Sequence, residues 1–403
     1  MKNKYRIQFV ITGLGTGGAE MMLFKLLSGI NRDLFDPRVI SLMDVDTLRP
    51  KFQQIDIPVD ILGMKPGIPD PRKILQLAEL FRRERPRIVQ AWMYHANLIG
   101  GVAARLAGNI PVVWNIRHSN LDPRVDKKST IWTAKLCARL SSILPRKIIC
   151  CAETAREIHE KIGYRIGKMT VIPNGFDLSQ FGPEPADRER IRLELGIPSD
   201  AVVIGLVARY HLQKDHNSFF EAAAMLNNRV GGVHYVLCGE GVTAENQEIL
   251  KTLKGKNFKG NLHLLGRRTD VSSLNASFDI ATSSSRCGEG FSNTIGEAMA
   301  CGVPAVVTDV GDSAWIVGDT GKVVPPEKPQ ELCLAWQEMI ELGPEGRTRL
   351  GCLARKRVRD LFSLDAIIRK YENIYFDILG LRPEYQAPSE RKTVPVSSAE
   401  RAK

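Results

Sequence analysis

The chain has 403 residues, a formal net charge of +11 and 43% hydrophobic residues, with 34 Gly and 22 Pro. That length favours two or three domains, and the near-average composition excludes a disordered, collagen-like or coiled-coil protein. No stretch reaches the roughly 18 uninterrupted apolar residues that a spanning helix needs. The most apolar region, 88–108, is broken by Gln90, His95, Asn97 and Arg105.

Near the start, the run IQFVIT passes straight into glycines. It reads as a first strand rather than a secretory signal, so a cytoplasmic protein is expected. Strands follow over 6–12, 38–42, 87–91, 112–116, 147–152 and 169–172, with helices between them. In the helix over 20–30, Met21, Leu23, Phe24, Leu27 and Ile30 form one apolar stripe. Continuous Val/Ile runs are what parallel strands buried on both faces require. This alternation predicts an α/β, doubly wound sheet over residues 1–172.

Residues 173–187, within the proline- and glycine-rich IPNGFDLSQFGPEPAD, have no helical or strand period and predict a linker. The alternation restarts over 188–361, with strands at 202–207, 234–238, 262–265, 279–283 and 305–308. Helices are expected at 218–226, 293–300, 330–342, 347–361 and 364–379. Two Rossmann-like halves predict a ligand cleft between them. The C-terminal helix, 362–380, is expected to return to the first domain, and 381–403 to be a disordered tail. The eight cysteines show no CxxC pair and no metal-like spacing, so reduced thiols are expected.

Three segments could carry chemistry. Gly13, Gly15 and Gly18 fit GxGxxG between a strand and a helix, where backbone N–H groups can cradle phosphate. The acid of a dinucleotide site is wanting, because Asp44 comes late, and a plain tight turn explains the glycines as well. Arg209 and Lys214 follow the first strand of the second half. They suit a diphosphate, although basic loop residues are commonly just solvated. The third segment, CGEGFSNTIGEAMACGVP, puts Glu289 in a glycine-flanked loop and Gly290, Phe291, Ser292 and Asn293 at a helix N-terminus. Glu297 follows eight residues after Glu289, on that helix. The bland readings are a solvated loop acid and a carboxylate near a helix N-terminus.

Taken together, GLGTGGAE, VIPNGFD, GLVARYHLQKDH and EGFSNTIGEAMACGVP resemble the retaining glycosyltransferases of the GT-B fold, family 4, also called group 1 glycosyltransferases. The resemblance runs through nearly the whole chain. It implies that Arg209 and Lys214 bind the diphosphate of a UDP- or GDP-sugar and that Glu297 holds the ribose. Glu289 would contact the transferred sugar, with the backbone of Gly290–Asn293 on sugar and phosphate. Gly17 and Gly18 would close over the diphosphate, and His118 would lie beside the anomeric carbon. The chain reads Arg117-His118-Ser119, without the acid that often follows that histidine.

By the same resemblance, no metal and no cofactor are expected, and retention would follow a same-face path in which the leaving phosphate assists the acceptor hydroxyl. The implied activity is transfer of a hexose-type sugar to a glycan or polyprenyl-diphosphate-linked oligosaccharide in cell-surface polysaccharide (O-antigen, capsule or exopolysaccharide) biosynthesis. The basic excess is compatible with peripheral binding to an anionic inner-membrane surface. Its dispersal, without an aromatic-basic motif, argues against a nucleic-acid partner. The competing readings are a same-fold nucleotide-sugar 2-epimerase, an NAD-dependent oxidoreductase and a pure binding protein.

Overall fold

The structure is a computed structural model and describes residues 4–65, 70–119, 121, 127–256, 258 and 260–381. The expected tail over 381–403 lies outside the described residues but for Leu381. The chain forms two compact units. One comprises Met1–Cys151, Arg156–Gly175 and the chain from Leu364 on; the other comprises Ala152–Ala155 and Phe176–Ser363. Among the described residues no helix is long and apolar enough to cross a membrane.

The first unit holds strands β1 (Tyr5–Ile11), β2 (Phe35–Met43), β3 (Val59–Met64), β4 (Ile88–Trp92), β5 (Val112–Ile116), β6 (Lys147–Cys150) and β7 (Met169–Val171). They form one parallel sheet in the order β3-β2-β1-β4-β5-β6-β7. All five residues of β4 and of β5 are buried, as central parallel strands require. β3 went unpredicted for the same reason reversed. It is an edge strand, half-exposed and interrupted by Asp60 and Gly63, so it carries no continuous apolar run. β2 starts earlier than expected and contains Pro37. Pairing with β3 begins only at Val39, so the missing N–H falls where β2 has a single neighbour.

The second unit holds β8 (Val202–Val207), β9 (Val233–Cys238), β10 (Leu262–Leu264), β11 (Ile280–Ser283), β12 (Ala305–Thr308) and β13 (Gly321–Val324), parallel in the order β10-β9-β8-β11-β12-β13. β13, a four-residue edge strand with Lys322 and Val323 exposed, was also invisible to periodicity. In both sheets the first strand lies beside a strand reached by a reversal of direction, β1 beside β4 and β8 beside β11. Such switch points open a crevice at the carboxyl ends of the strands.

The boundary between the two units falls within the segment 173–187. Residues through Gly175 belong to the first unit, Phe176 starts the second, and a helix begins at Pro185. Proline at the first helical turn loses no hydrogen bond there, so Pro185 starts this helix instead of breaking it. The last helix, Leu364–Leu379, belongs to the first unit. Its Ile367, Ile368, Tyr371 and Tyr375 are fully buried with Phe9, Phe35 and Leu27. Tyr375 meets Phe35 edge-on at 5.6 Å, and its hydroxyl donates to Gln90 Oε1. Each such side chain contributes roughly 1.5–3 kcal/mol on burial. All eight cysteines are free, six of them buried.

Candidate active site

In the second unit, the loops after β8 and β11 come together. The loop after β8 ends in a short turn, Leu212–Lys214. Asp215 closes the turn with φ +46 and caps the helix His216–Asn227, accepting from the Ser218 N–H at 3.2 Å and the Ser218 hydroxyl at 2.6 Å. The Ser284 hydroxyl donates to the Lys214 carbonyl at 2.8 Å, and the Arg286 N–H to the Gln213 carbonyl at 2.9 Å. These bonds clamp one loop onto the other. Gly288 sits at φ +75, where a Cβ would strike the Gln213 side chain. Glycine takes this positive φ without the steric cost a side chain would meet.

The clamp brings Glu289 to Lys214. The two are ion-paired, and Glu289 Oε1 also accepts from the Ser285 hydroxyl at 2.6 Å. Ser285 is itself fixed by Thr308, whose hydroxyl donates to the Ser285 carbonyl at 2.6 Å. Arg209, by contrast, is exposed and has no carboxylate partner among the described residues. Of the two cations expected at a diphosphate, one is open to solvent and the other is held by Glu289.

Beyond Glu289, the Gly290 carbonyl accepts from the Asp312 N–H at 2.9 Å. The helix Asn293–Ala300 then starts without a capping bond from the Ser292 side chain. The Phe291 side chain is not directed at a ligand. It is buried against Phe176 at 5.9 Å and Phe362 at 5.4 Å, so only its backbone amide is available. Ser292 is buried too, whereas Asn293 and Glu297 are half-exposed. Gly296 lets the Phe176 ring lie directly on this helix, since a Cβ there would enter the ring. The spacing in EGFSNTIGE thus serves the packing of the helix as well as the placement of its acids.

The other predicted residues lie in the first unit. Gly17 caps the helix Gly18–Gly29, and the Glu20 carboxylate folds back onto it, where a Gly17 Cβ would collide. A carboxylate three residues inside a helix start reaches the unpaired amides of its own N-terminus. The Gly17–Gly18 end therefore already faces an anion of the same chain. Val45 packs on Gly13, and Asp44 is exposed just past the end of β2.

A cavity of about 380 Å³ lies beside this turn, lined among others by Glu20, Met93, Tyr94, His95, Arg117 and His118. That size is within the usual range for a small-molecule site. Burial raises the Glu20 pKa, with its own backbone amide and the Arg117 charge opposing the rise. Burial lowers that of His95. The Arg117 guanidinium lies 5.2 Å from the Trp92 ring and donates to Asn174, while its Nε and Nη1 are buried without a hydrogen-bond partner. His118 meets the Tyr94 ring edge-on at 6.3 Å, and the Tyr94 hydroxyl is 2.7 Å from His159 Nε2. Met93, at φ +72 directly after β4, turns Tyr94 and His95 toward this cavity.

Glu20, His95 and Arg117 were not singled out from sequence. Glu20 had a usable signal, its position three residues after the capping glycine. His95 and Arg117 had none, because each is one polar residue beside an apolar run.

Residues 16–180 match the family Glycosyltransferase Family 4, and residues 201–341 match Glycosyl transferases group 1. The UDP-Gal:alpha-D-GlcNAc-diphosphoundecaprenol alpha-1,3-galactosyltransferase of Escherichia coli is 29% identical over 258 residues, 62% of this chain and 65% of that enzyme. The N,N'-diacetylbacillosaminyl-diphospho-undecaprenol alpha-1,3-N-acetylgalactosaminyltransferase of Campylobacter jejuni is 25% identical over 313 residues, 73% of this chain and 79% of its own. The match spans 53% of the putative glycosyltransferase EpsF of Bacillus subtilis, at 28% identity over 52% of this chain, so the chain spans less than two thirds of the length of this relative and of the E. coli enzyme. Among solved structures, Anabaena HepE in complex with UDP has a TM-score of 0.82 at 22% identity, covering 92% of this chain and 100% of its own. At that identity the likeness speaks for the fold, two parallel α/β units of the GT-B type. A nicotinamide-dependent or purely binding role does not fit these matches. The chain belongs to the group 1, family 4 glycosyltransferases of the GT-B fold.

Proposed function

We propose that the protein transfers a hexose-type sugar from a nucleotide diphosphate sugar, with retention, to a polyprenyl-diphosphate-linked or other glycan acceptor of bacterial cell-surface polysaccharide synthesis. The observation that carries this reading is the Lys214–Glu289 ion pair at the carboxyl edge of one parallel sheet, with Arg209 on the loop after β8 and the helix Asn293–Ala300 on the chain after β11. Two cations beside helix amides suit a departing diphosphate, whose charge grows as the sugar–oxygen bond breaks. A uridine nucleotide is favoured over guanosine. The E. coli relative is named for UDP-galactose, and the HepE structures contain UDP or UDP-glucose. Two relatives are named for diphosphoundecaprenol-linked acceptors, which supports an acceptor of that class.

In this reading the diphosphate competes with Glu289 for Lys214 and takes a second contact from Arg209. Glu289, released from Lys214 and still held by Ser285, accepts from a hydroxyl of the transferred sugar. Glu297 holds the ribose, and the amides of Gly290–Asn293 meet sugar and phosphate. His118 keeps its role at the reacting carbon, and its cavity is assigned to the acceptor sugar. The acceptor hydroxyl loses its proton to the leaving phosphate oxygen on the same face as the bond it forms. The charges come from side chains, so no metal is required.

The test is a donor screen with UDP- and GDP-sugars, with and without a lipid-diphosphate-linked acceptor and with and without chelator. Acceptor-dependent release of nucleotide diphosphate and an unchanged anomeric configuration in the product are expected. Sugar conversion without any acceptor would favour the 2-epimerase, and loss of activity to chelator would remove the metal-free mechanism.

A further inference from the structure

We propose that Asp312 is a positioning residue for sugar transfer. It holds the backbone of Glu289 and Gly290 by fixing the turn after β12 to the start of the helix Glu153–Lys161. The role of Glu289 and Gly290 at the donor rests on the function proposed above; the grip on them is argued from its own bonds.

The Glu289 loop is held from two sides. Its side chain is fixed by Lys214 and Ser285, on the loops after β8 and β11. Its backbone is fixed by the turn 309–312, between β12 and the helix Ser313–Val317. There the Asp312 N–H donates to the Gly290 carbonyl at 2.9 Å. Gly311, at φ +62, lies so close that a Cβ on it would strike the carbonyls of Glu289 and Gly290. Turn and loop therefore meet backbone to backbone, with no side chain between them to absorb a shift.

A turn can hold a loop only if it is itself held. At one end, the Asp309 N–H donates to the Val324 carbonyl at 2.8 Å, which ties the turn to β13. At the other end stands the Asp312 side chain, only 3% exposed. Its Oδ2 accepts from the Glu153 N–H at 2.7 Å. Its Oδ1 accepts from the Thr154 N–H at 3.0 Å and from the Thr154 hydroxyl at 2.9 Å. Glu153 and Thr154 open the helix Glu153–Lys161, and both lie in the second unit with Asp312.

The first amides of a helix have no partner within it, and the helix dipole favours a negative charge beside them. Hydrogen bonds to an ionised acceptor are also about twice as strong as neutral ones. A buried carboxylate with three donors is thus a firm anchor. Both oxygens are taken up by the helix start, so Asp312 acts on the loop through its own amide. Without the carboxylate the turn can drift and carry Glu289 and Gly290 with it. A misplacement of about 1 Å at reacting groups is enough to cost roughly 100-fold in rate.

The first test needs neither donor nor acceptor. Amide hydrogen exchange of the full-length protein is read at residues 153, 154 and 312, for the parent and Asp312→Ala. Exchange at 153 and 154 should quicken in the variant, because their acceptor is gone. Exchange at 312 should quicken too, by about tenfold or more, as its bond to Gly290 loosens. Faster exchange at 153 and 154 with residue 312 unchanged would make Asp312 a helix cap alone and overturn the proposal.

The second test is kinetic. Asp312→Ala should lower turnover at saturating donor and acceptor by about ten- to a hundredfold. In a Glu289→Gln background the same substitution should lower it far less, because both act through one loop. Equal factors in the two backgrounds would show a general loss of structure and overturn the proposal. Thr154→Val, which removes one donor and leaves both amides, should give a smaller loss in the same direction. Should Asp312→Ala fail to fold, Asp312→Asn and Thr154→Val carry both tests, and parental exchange at 312 with parental turnover in both would overturn the proposal. Normal transfer with an unmoved residue 312 removes this inference alone, whereas failure of the donor screen removes the transferase reading and leaves the exchange result to stand.

Discussion

The Lys214 ammonium and the Glu289 carboxylate, 75 residues apart in the chain, are ion-paired in a loop clamp that keeps Glu289 largely from solvent. Two residues expected to bind different parts of one donor therefore bind each other first. A ligand that takes Lys214 must leave Glu289 with its Ser285 bond and free to accept another.

This pairing makes the two residues non-additive. Lys214→Ala should lower turnover about ten- to a hundredfold, since a hydrogen bond to a charged group contributes roughly 1.5–3 kcal/mol. Glu289→Gln should lower turnover while keeping or improving donor affinity, because Lys214 no longer has a carboxylate to leave. A double-mutant cycle on donor binding should show coupling between them. Independent, additive losses would mean that the pair does not open for the donor.

Glu297 should behave differently. It would hold the ribose, which changes little during reaction, so Glu297→Ala should weaken donor binding and leave saturated turnover nearly intact. Donor affinity by calorimetry and turnover at saturating donor check this, and a selective loss of turnover would contradict it.

His216 predicts acid sensitivity. It is buried beside Lys214, and burial pushes its pKa down to about 4, with the Lys214 charge adding to the effect and the Ala208 backbone opposing it. An unfolded histidine titrates near 6.5, so below that pH the unfolded chain binds a proton that the folded one refuses. The folded state therefore loses stability as pH falls from about 6.5 to about 4, by at most roughly 3 kcal/mol. Urea unfolding across this window should show a smaller loss for His216→Phe than for the parent protein. Parallel curves would show that this imidazole does not govern the acid limb.

Tyr375→Ala should destabilise the first unit by about 3–5 kcal/mol, as for other large aromatic truncations in a core. Tyr375→Phe should cost about 1–3 kcal/mol by leaving Gln90 without its donor. Truncation after Ser363 should leave the first unit unfolded. Thermal melts read all three, and a folded first unit in the truncated chain would show that the last helix is dispensable.

Local patterns carried much of this protein. The central strands of both sheets were legible because burial on both faces favours continuous apolar runs, as in β8. Glu289 and Glu297, expected at the donor, could be singled out because they share one loop and helix, a segment of nine residues. Of the four edge strands, β7 and β10 were expected and β3 and β13 escaped, since the latter pair bury little and need no such run.

Tertiary structure alone decided which distant segments share a core or a site. Asn31 donates its N–H to Glu372 across 341 positions, and Tyr375 bonds Gln90 across 285, which makes the last helix part of the first unit. Periodicity reports only which face of a helix is apolar, not which sheet covers it. Likewise, Glu20, His95 and the neighbours Arg117 and His118 come from three separate connections. They share a cavity because parallel strands carry their following loops to one edge of the sheet, a convergence that exists only once strand order is set.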